Sequence, residues 1–200
     1  AFVFCCFNTN YKITRVEFDI WLRLLCKVKG SVLWLRKSNS ISEKNIIKEA
    51  KKRNIDTSRL VFAEKVPMDI HLARYKLADL FLDTFNFNAH TTATEALWAG
   101  LPVITKQGES FAARVASSLL NAIGLKELVL KTESEYEKMI LELSTNLSKL
   151  TAIKKKLVAN RLSKPLFDTK LYTKHLENGY LKAYQNYLAK KNPETIFIPK

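Results

Sequence analysis

The sequence predicts an α/β fold: a Rossmann-like parallel sheet with helices on both faces. Three observations carry this. Short runs that are apolar on both sides recur along the chain, as strands buried on both faces require. Stretches with helical apolar spacing alternate with them, the signature of βαβ units. The chain has 200 residues, 47% of them hydrophobic, enough for one sizeable core.

Taken in order, residues 2–7 form the first strand and residues 16–28 a helix with Ile20, Leu24 and Leu25 on one side. Residues 31–35 are a strand. Residues 40–53 are a helix whose opening, Ser40-Ile41-Ser42-Glu43, fits a capping box. A strand at 60–63 leads past Pro67 to a helix at 69–76. A strand at 80–82 precedes a helix at 92–99, which Gly100 and Pro102 close. Residues 103–105 are a strand, 111–123 a helix and 128–130 a last strand. From Ser134 onward the pattern is helical and ends in a long segment at 172–188. The domain is expected to span residues 1–190, with 191–200 as a tail. No internal repeat, linker or low-complexity tract is evident.

Composition narrows the function. No apolar stretch approaches the ~20 residues of a membrane span, and residues 1–7 are too short and lack the basic flank of a signal peptide. The chain does not begin with Met, so it reads as cut from something longer. Cys5, Cys6 and Cys26 are an odd set inside apolar patterns, which suggests reduced, buried thiols and a cytoplasmic setting. No Cys/His spacing resembles a zinc site. The net charge of +14 raises nucleic acid as a partner. The charge is mostly lysine spread along helix faces, as at Lys48, Lys51, Lys52 and 154–156, and no nucleic-acid-binding signature accompanies it. A solvated lysine surface is the better reading.

The most informative segment runs from Asn88 to Pro102. It makes a strand, a polar turn and a helix N-terminus, where unpaired N–H groups and the positive dipole end suit a phosphate. His90, Thr91 and Thr92 add donors there. Glu95 lies a turn further on, where a carboxylate suits sugar hydroxyls. The plainer alternative is that Thr91 or Thr92 merely caps the helix. In doubly wound sheets ligands sit beyond the strands' carboxyl ends. Lys12 follows the first strand, while Val66, Met68, His71 and Arg74 follow the third. Lys12, His71 and Arg74 are expected to converge with His90, Thr91, Thr92 and Glu95 on one crevice edge. The first strand is not followed by Gly-x-Gly-x-x-Gly, and no Walker-type Gly-Lys-Ser/Thr is present, which argues against dinucleotide and P-loop binding. No Asp-x-Asp pair is available to hold a metal on a diphosphate. The predicted site therefore neutralises the diphosphate with Lys12 and the 90–92 turn, and needs neither metal nor cofactor.

The ordered residues resemble the O-GlcNAc transferase/SPINDLY family, glycosyltransferase family 41. The resemblance rests on Phe7-Asn8-x-x-Tyr11-Lys12-Ile13, His71-Leu72-Ala73-Arg74, Leu82-Asp83-Thr84, Asn88-Ala89-His90-Thr91-Thr92, Leu97-Trp98-Ala99-Gly100-x-Pro102, Ala113-Arg114-Val115-Ala116 and Asn160-Arg161-Leu162-x-x-Pro165-Leu166-Phe167-Asp168. It runs from about Phe4 to Tyr187 and covers only the family's C-terminal, donor-binding half. The resemblance implies the C-terminal lobe of a GT-B glycosyltransferase, ending in long helices. Its partners would be the N-terminal catalytic lobe and tetratricopeptide repeats of the same parent chain, and the lobe alone would be inactive. It implies inverting, metal-free transfer of a sugar from a nucleotide sugar, UDP-GlcNAc first, to Ser or Thr of acceptor proteins. By family pattern Lys12 contacts the diphosphate and stabilises the leaving group, and His90, Thr91 and Thr92 hold the phosphates. Glu95 takes the ribose hydroxyls and His71 packs on the base, with Arg74 and the Val66 backbone at its edge.

Three positions depart from the animal pattern. Thr9 replaces a Gln near the phosphates, Met68 a Lys near the ribose, and Glu95 an Asp. These changes suit a bacterial-type member and leave the sugar open, with GDP-fucose or UDP-glucose as alternative donors. Other readings are a non-catalytic nucleotide-binding or protein-interaction module, a nucleic-acid binder, and a GT-B sugar-nucleotide epimerase.

Overall fold

A computed structural model describes residues 1–198. Six strands form one parallel sheet in the order β3-β2-β1-β4-β5-β6: β1 Val3–Cys6, β2 Val32–Arg36, β3 Leu60–Ala63, β4 Leu80–Leu82, β5 Val103–Lys106 and β6 Val129–Leu130. In register, Phe4 pairs with Leu33 on one side and Leu80 on the other. The sheet thus grows outward in both directions from β1 and β4. Right-handed crossovers then place the helices after β1 and β4 on opposite faces and open a crevice at the carboxyl ends of those two strands.

The connecting helices are α1 Arg15–Lys27, α2 Ser40–Lys51, α3 Met68–Arg74, α4 Thr91–Ala99 and α5 Val115–Ala122. Three more follow β6: α6 Glu133–Thr145, α7 Leu147–Asn160 and α8 Thr169–Leu188. α1 packs against α6, and α4 lies between α3 and α5. The core is built from both sets, with Trp21, Leu24, Phe81, Leu97 and Tyr136 essentially without exposure. The Trp21 indole donates to the Tyr136 hydroxyl at 3.2 Å, and that hydroxyl donates to the Asp83 carbonyl at 3.1 Å. α6 thereby anchors the loop after β4, which carries the candidate site.

Several local expectations shift. α2 is capped by Asn39, whose Oδ1 accepts from the Ser42 amide, so the box is Asn39–Ser42 and not Ser40–Glu43. α5 begins at Val115 because residues 108–113 close on themselves, the Gly108 amide donating to the Ala113 carbonyl at 2.9 Å and the Ala113 amide to Ser110 Oγ at 3.3 Å. Cys26 is exposed, against the expectation that all three cysteines are buried. The helical C-terminal region is three helices: Asn146 caps α7 and Asp168 caps α8, each through its side chain. Among the described residues beyond α8 no regular element is formed, and Lys182 Nζ donates to the Phe197 carbonyl at 3.4 Å. No described helix is long and apolar enough to cross a membrane.

Candidate functional site

The sheet's switch point is where the polar residues gather. Asn8, just past β1, donates through Nδ2 to Thr84 Oγ1 at 2.8 Å and to Asp83 Oδ1 at 3.3 Å, just past β4. Asn8 Oδ1 accepts from the Thr92 hydroxyl at 2.6 Å. Thr92 is therefore a brace between β1 and the first turn of α4. The helix N-cap is His90, which makes no side-chain capping bond. This removes the reading of Thr91 or Thr92 as a simple cap. Hydrogen bonding within α4 starts at the Ala93 and Thr94 amides, both donating to the His90 carbonyl at 3.1 Å. The Thr91 and Thr92 amides stand at the open, electropositive end. The far end of α4 closes as a Schellman turn: Gly100 has φ +90°, and the Leu101 amide donates to Ala96 O at 2.8 Å.

Asp83 organises the turn from below. It is fully buried, and its Oδ1 accepts from the amides of Ala89 (2.6 Å) and Thr84 (2.8 Å), while Oδ2 accepts from the Thr105 hydroxyl (2.6 Å). Burial outweighs these donors and pushes its pKa up to about 7.

Beside this turn lies a cavity of about 270 Å³, walled by Phe7, Arg36, Val66, Met68, His71, Arg74, Thr92 and Glu95, with residues 64 and 65. Arg74 donates through Nη2 to His71 Nδ1, and through Nη1 to the Glu64 carbonyl at 2.7 Å. A guanidinium only donates, so His71 Nδ1 accepts and the ring proton sits on Nε2. That N–H donates to Glu95 Oε2 at 3.1 Å, an oxygen the Tyr75 hydroxyl also reaches at 3.4 Å. Burial, then the Arg74 charge, hold the His71 pKa below its ordinary value, which keeps the ring neutral. The face presented to the cavity is thus a fixed neutral imidazole flanked by a carboxylate and a guanidinium.

Lys12 sits against the turn that leads into α4. Its Nζ donates to the Asn88 carbonyl at 3.0 Å and lies 3.7 Å from the centroid of the Phe87 ring. Burial pulls its pKa below the lysine value, with Asp83 opposing. Among the described residues it has no carboxylate within salt-bridge distance, so its charge is left for an anion. The His90 ring packs at 4.9 Å from Phe87.

The single crevice edge expected from sequence is therefore two adjoining clusters. Val66, Met68, His71, Arg74, Thr92 and Glu95 wall the cavity. Lys12, His90 and exposed Thr91 flank the helix end, and Thr92 belongs to both. Thr9 is not on the cavity wall: its Oγ1 accepts from Arg36 Nη1 at 3.2 Å. Sequence reasoning missed Arg36, Asp83 and Asn8 as site elements. Arg36 ends β2, so extending the carboxyl-end rule to that strand would have found it. The motif around Asn160 and Arg161 has a packing task. Asn160 donates to Ile123 O at 2.8 Å and Arg161 to Trp98 O at 2.6 Å, which ties α7 to α4 and α5. Among the described residues no three His, Cys, Asp or Glu side chains group as metal ligands.

Strand order and the polar cluster at the switch point define a doubly wound, Rossmann-like lobe with an open site. The chain belongs to glycosyl transferase family 41, whose sequence pattern matches residues 1–176. It is 40% identical over 178 residues to the Caenorhabditis elegans UDP-N-acetylglucosamine–peptide N-acetylglucosaminyltransferase, covering 89% of this chain and 16% of that protein. It is 31% identical over 192 residues to a probable enzyme of the same name, SPINDLY, from Hordeum vulgare, covering 94% of this chain and 20% of that one. Among solved structures, a mutant O-GlcNAc transferase from Thermobaculum terrenum superposes with a TM-score of 0.88 at 31% identity, over 92% of this chain and 36% of that chain. The fold is accordingly that of the expected GT-B lobe, and the chain spans about a fifth or less of the two named relatives.

Proposed function

We propose that this chain is the donor-binding half of an inverting protein O-glycosyltransferase that moves GlcNAc from UDP-GlcNAc to Ser or Thr hydroxyls. The observation that carries the reading is the junction at Thr92, where a cavity of nucleoside size meets an open helix N-terminus beside an unpaired ammonium. Family membership and the printed names of the relatives favour UDP-GlcNAc over other donors. Acceptor, general base and sugar pocket are assigned to the rest of a parent chain, in which the N-terminal lobe and tetratricopeptide repeats are the proposed partners.

In this reading the base rests against His71, with Arg74 and the Val66 backbone at its edge. Glu95 is held by His71 and Tyr75 through Oε2, so its Oε1 takes ribose hydroxyls. The cavity is too small for a whole nucleotide sugar. The diphosphate therefore lies outside it, on the Thr91 and Thr92 amides. Departure of UDP builds negative charge on the oxygen that leaves the sugar carbon, and Lys12 is the cation placed to meet it. An ammonium held beforehand by Asn88 and Phe87 needs little reorganisation at that moment. No metal is assigned to this step.

Calorimetry of UDP, GDP and UDP-GlcNAc against this chain tests the reading, with and without EDTA. The expected result is UDP binding in preference to GDP, unchanged by EDTA. Binding of none of the three, or binding that disappears with EDTA, overturns it.

A further inference from the structure

We propose that Arg36 is a second diphosphate-binding cation of this site, in addition to Lys12. The inference rests on the nucleotide reading above and adds a residue that reading does not use.

Three observations place it there. Arg36 ends β2 next to β1, and its side chain walls the same cavity as His71, Arg74 and Glu95. Its Nη1 donates to Thr9 Oγ1 at 3.2 Å, and Thr9 opens the turn that carries Lys12, with the Lys12 amide donating to the Thr9 carbonyl at 2.9 Å. One guanidinium thus touches the nucleoside cavity and the turn of the leaving-group lysine, which is the path a diphosphate would take out of the cavity.

Of the charged groups around it, Glu64, Glu95 and Arg74 already have polar partners, whereas Arg36 and Lys65 face no carboxylate among the described residues. Glu64 is paired with Lys37, and the Glu64 carbonyl takes Arg74. Glu95 takes His71. Arg74 is spent on His71 and on the Phe7 ring, 4.6 Å from its guanidinium carbon. Among the described residues Arg36 has no carboxylate within salt-bridge distance and holds only a neutral hydroxyl. Its charge also falls on His71 and Arg74, so two guanidinium groups share the cavity wall with the Glu95 carboxylate, while Glu64 is paired with Lys37. Met68, the wall residue on the same side as Val66, supplies none of the charge an anion needs. A planar guanidinium with several donors suits a diphosphate better than any other free group on this wall.

The test is titration of UDP, UMP and uridine into the wild-type chain, Arg36→Gln and Arg36→Lys, each at two salt concentrations. Arg36→Gln is expected to weaken UDP about ten-fold, the lower end for a charge-assisted contact at an exposed residue, and to flatten the salt dependence. Uridine should change by less than about two-fold. Arg36→Lys should recover part of the UDP loss, and thermal unfolding should be unchanged because the residue is exposed. If the wild-type chain binds UDP and Arg36→Gln binds it equally well, this inference fails while the nucleotide reading stands. Equal losses for UDP and uridine place Arg36 on the nucleoside and also overturn it. If the wild-type chain binds neither UDP nor UMP, the nucleotide reading itself fails and this inference with it.

Discussion

Asp83→Asn should remove a pH dependence of stability that the wild-type chain carries. Burial raises the Asp83 pKa from 3.8 to about 7 in the folded state. Below 3.8 both folded and unfolded chains hold the proton. As pH rises, the unfolded chain releases it first, so stability falls until the folded pKa is passed. One pKa unit corresponds to ~1.4 kcal/mol, so the full loss is on the order of 4 kcal/mol, more than half of which falls between pH 5 and pH 8. Asparagine mimics the protonated form. Its Oδ1 keeps the Ala89, Thr84 and Asn8 donors, and its amide replaces Oδ2, where the Thr105 hydroxyl can turn and accept. Urea unfolding of both proteins at pH 5 and pH 8 measures the effect. The variant-minus-wild-type difference should move by roughly 2–3 kcal/mol in the variant's favour at the higher pH. A difference that stays constant, or moves the other way, would show that the donors outweigh burial and that Asp83 is an ordinary anion in the fold.

Other consequences are as direct. In the parent enzyme Lys12→Ala should lower kcat by on the order of 10²-fold with a smaller loss of donor affinity, as for removal of one transition-state donor; near-normal kcat at saturating donor would end the leaving-group assignment. Glu95→Ala should act mainly on KM, since it frees His71 Nε2 and removes the ribose acceptor, and an effect confined to kcat would contradict that role. Gly100→Ala should cost roughly 1–2 kcal/mol in thermal unfolding, because φ +90° strains a side-chain-bearing residue even though the new methyl meets nothing within 4 Å; an unchanged melt would mean the turn relaxes.

What the sequence determined by itself was the order of elements. Each strand is a short apolar run, and a parallel strand buried on both faces must read that way, so all six were legible. α4 was legible because Gly100 is needed where the chain turns left-handed, and the chemistry-bearing residues fell where the carboxyl-end rule puts them. Tertiary structure decided what local pattern does not encode. Asp83 titrates high because layers from both sides of the sheet exclude water from it, and its partners include residues 75 positions earlier and 22 later. In sequence Thr92 could be a phosphate donor or a simple cap, yet the packing of β1 beside β4 gives its hydroxyl Asn8 as a partner. Arg36 looks like the polar end of a strand until β2 takes its place next to β1 and brings the guanidinium to Thr9 and the cavity. Sequence spacing fixes which residues share an element. Which elements become neighbours, and so which charges go unanswered, is set only when the sheet assembles.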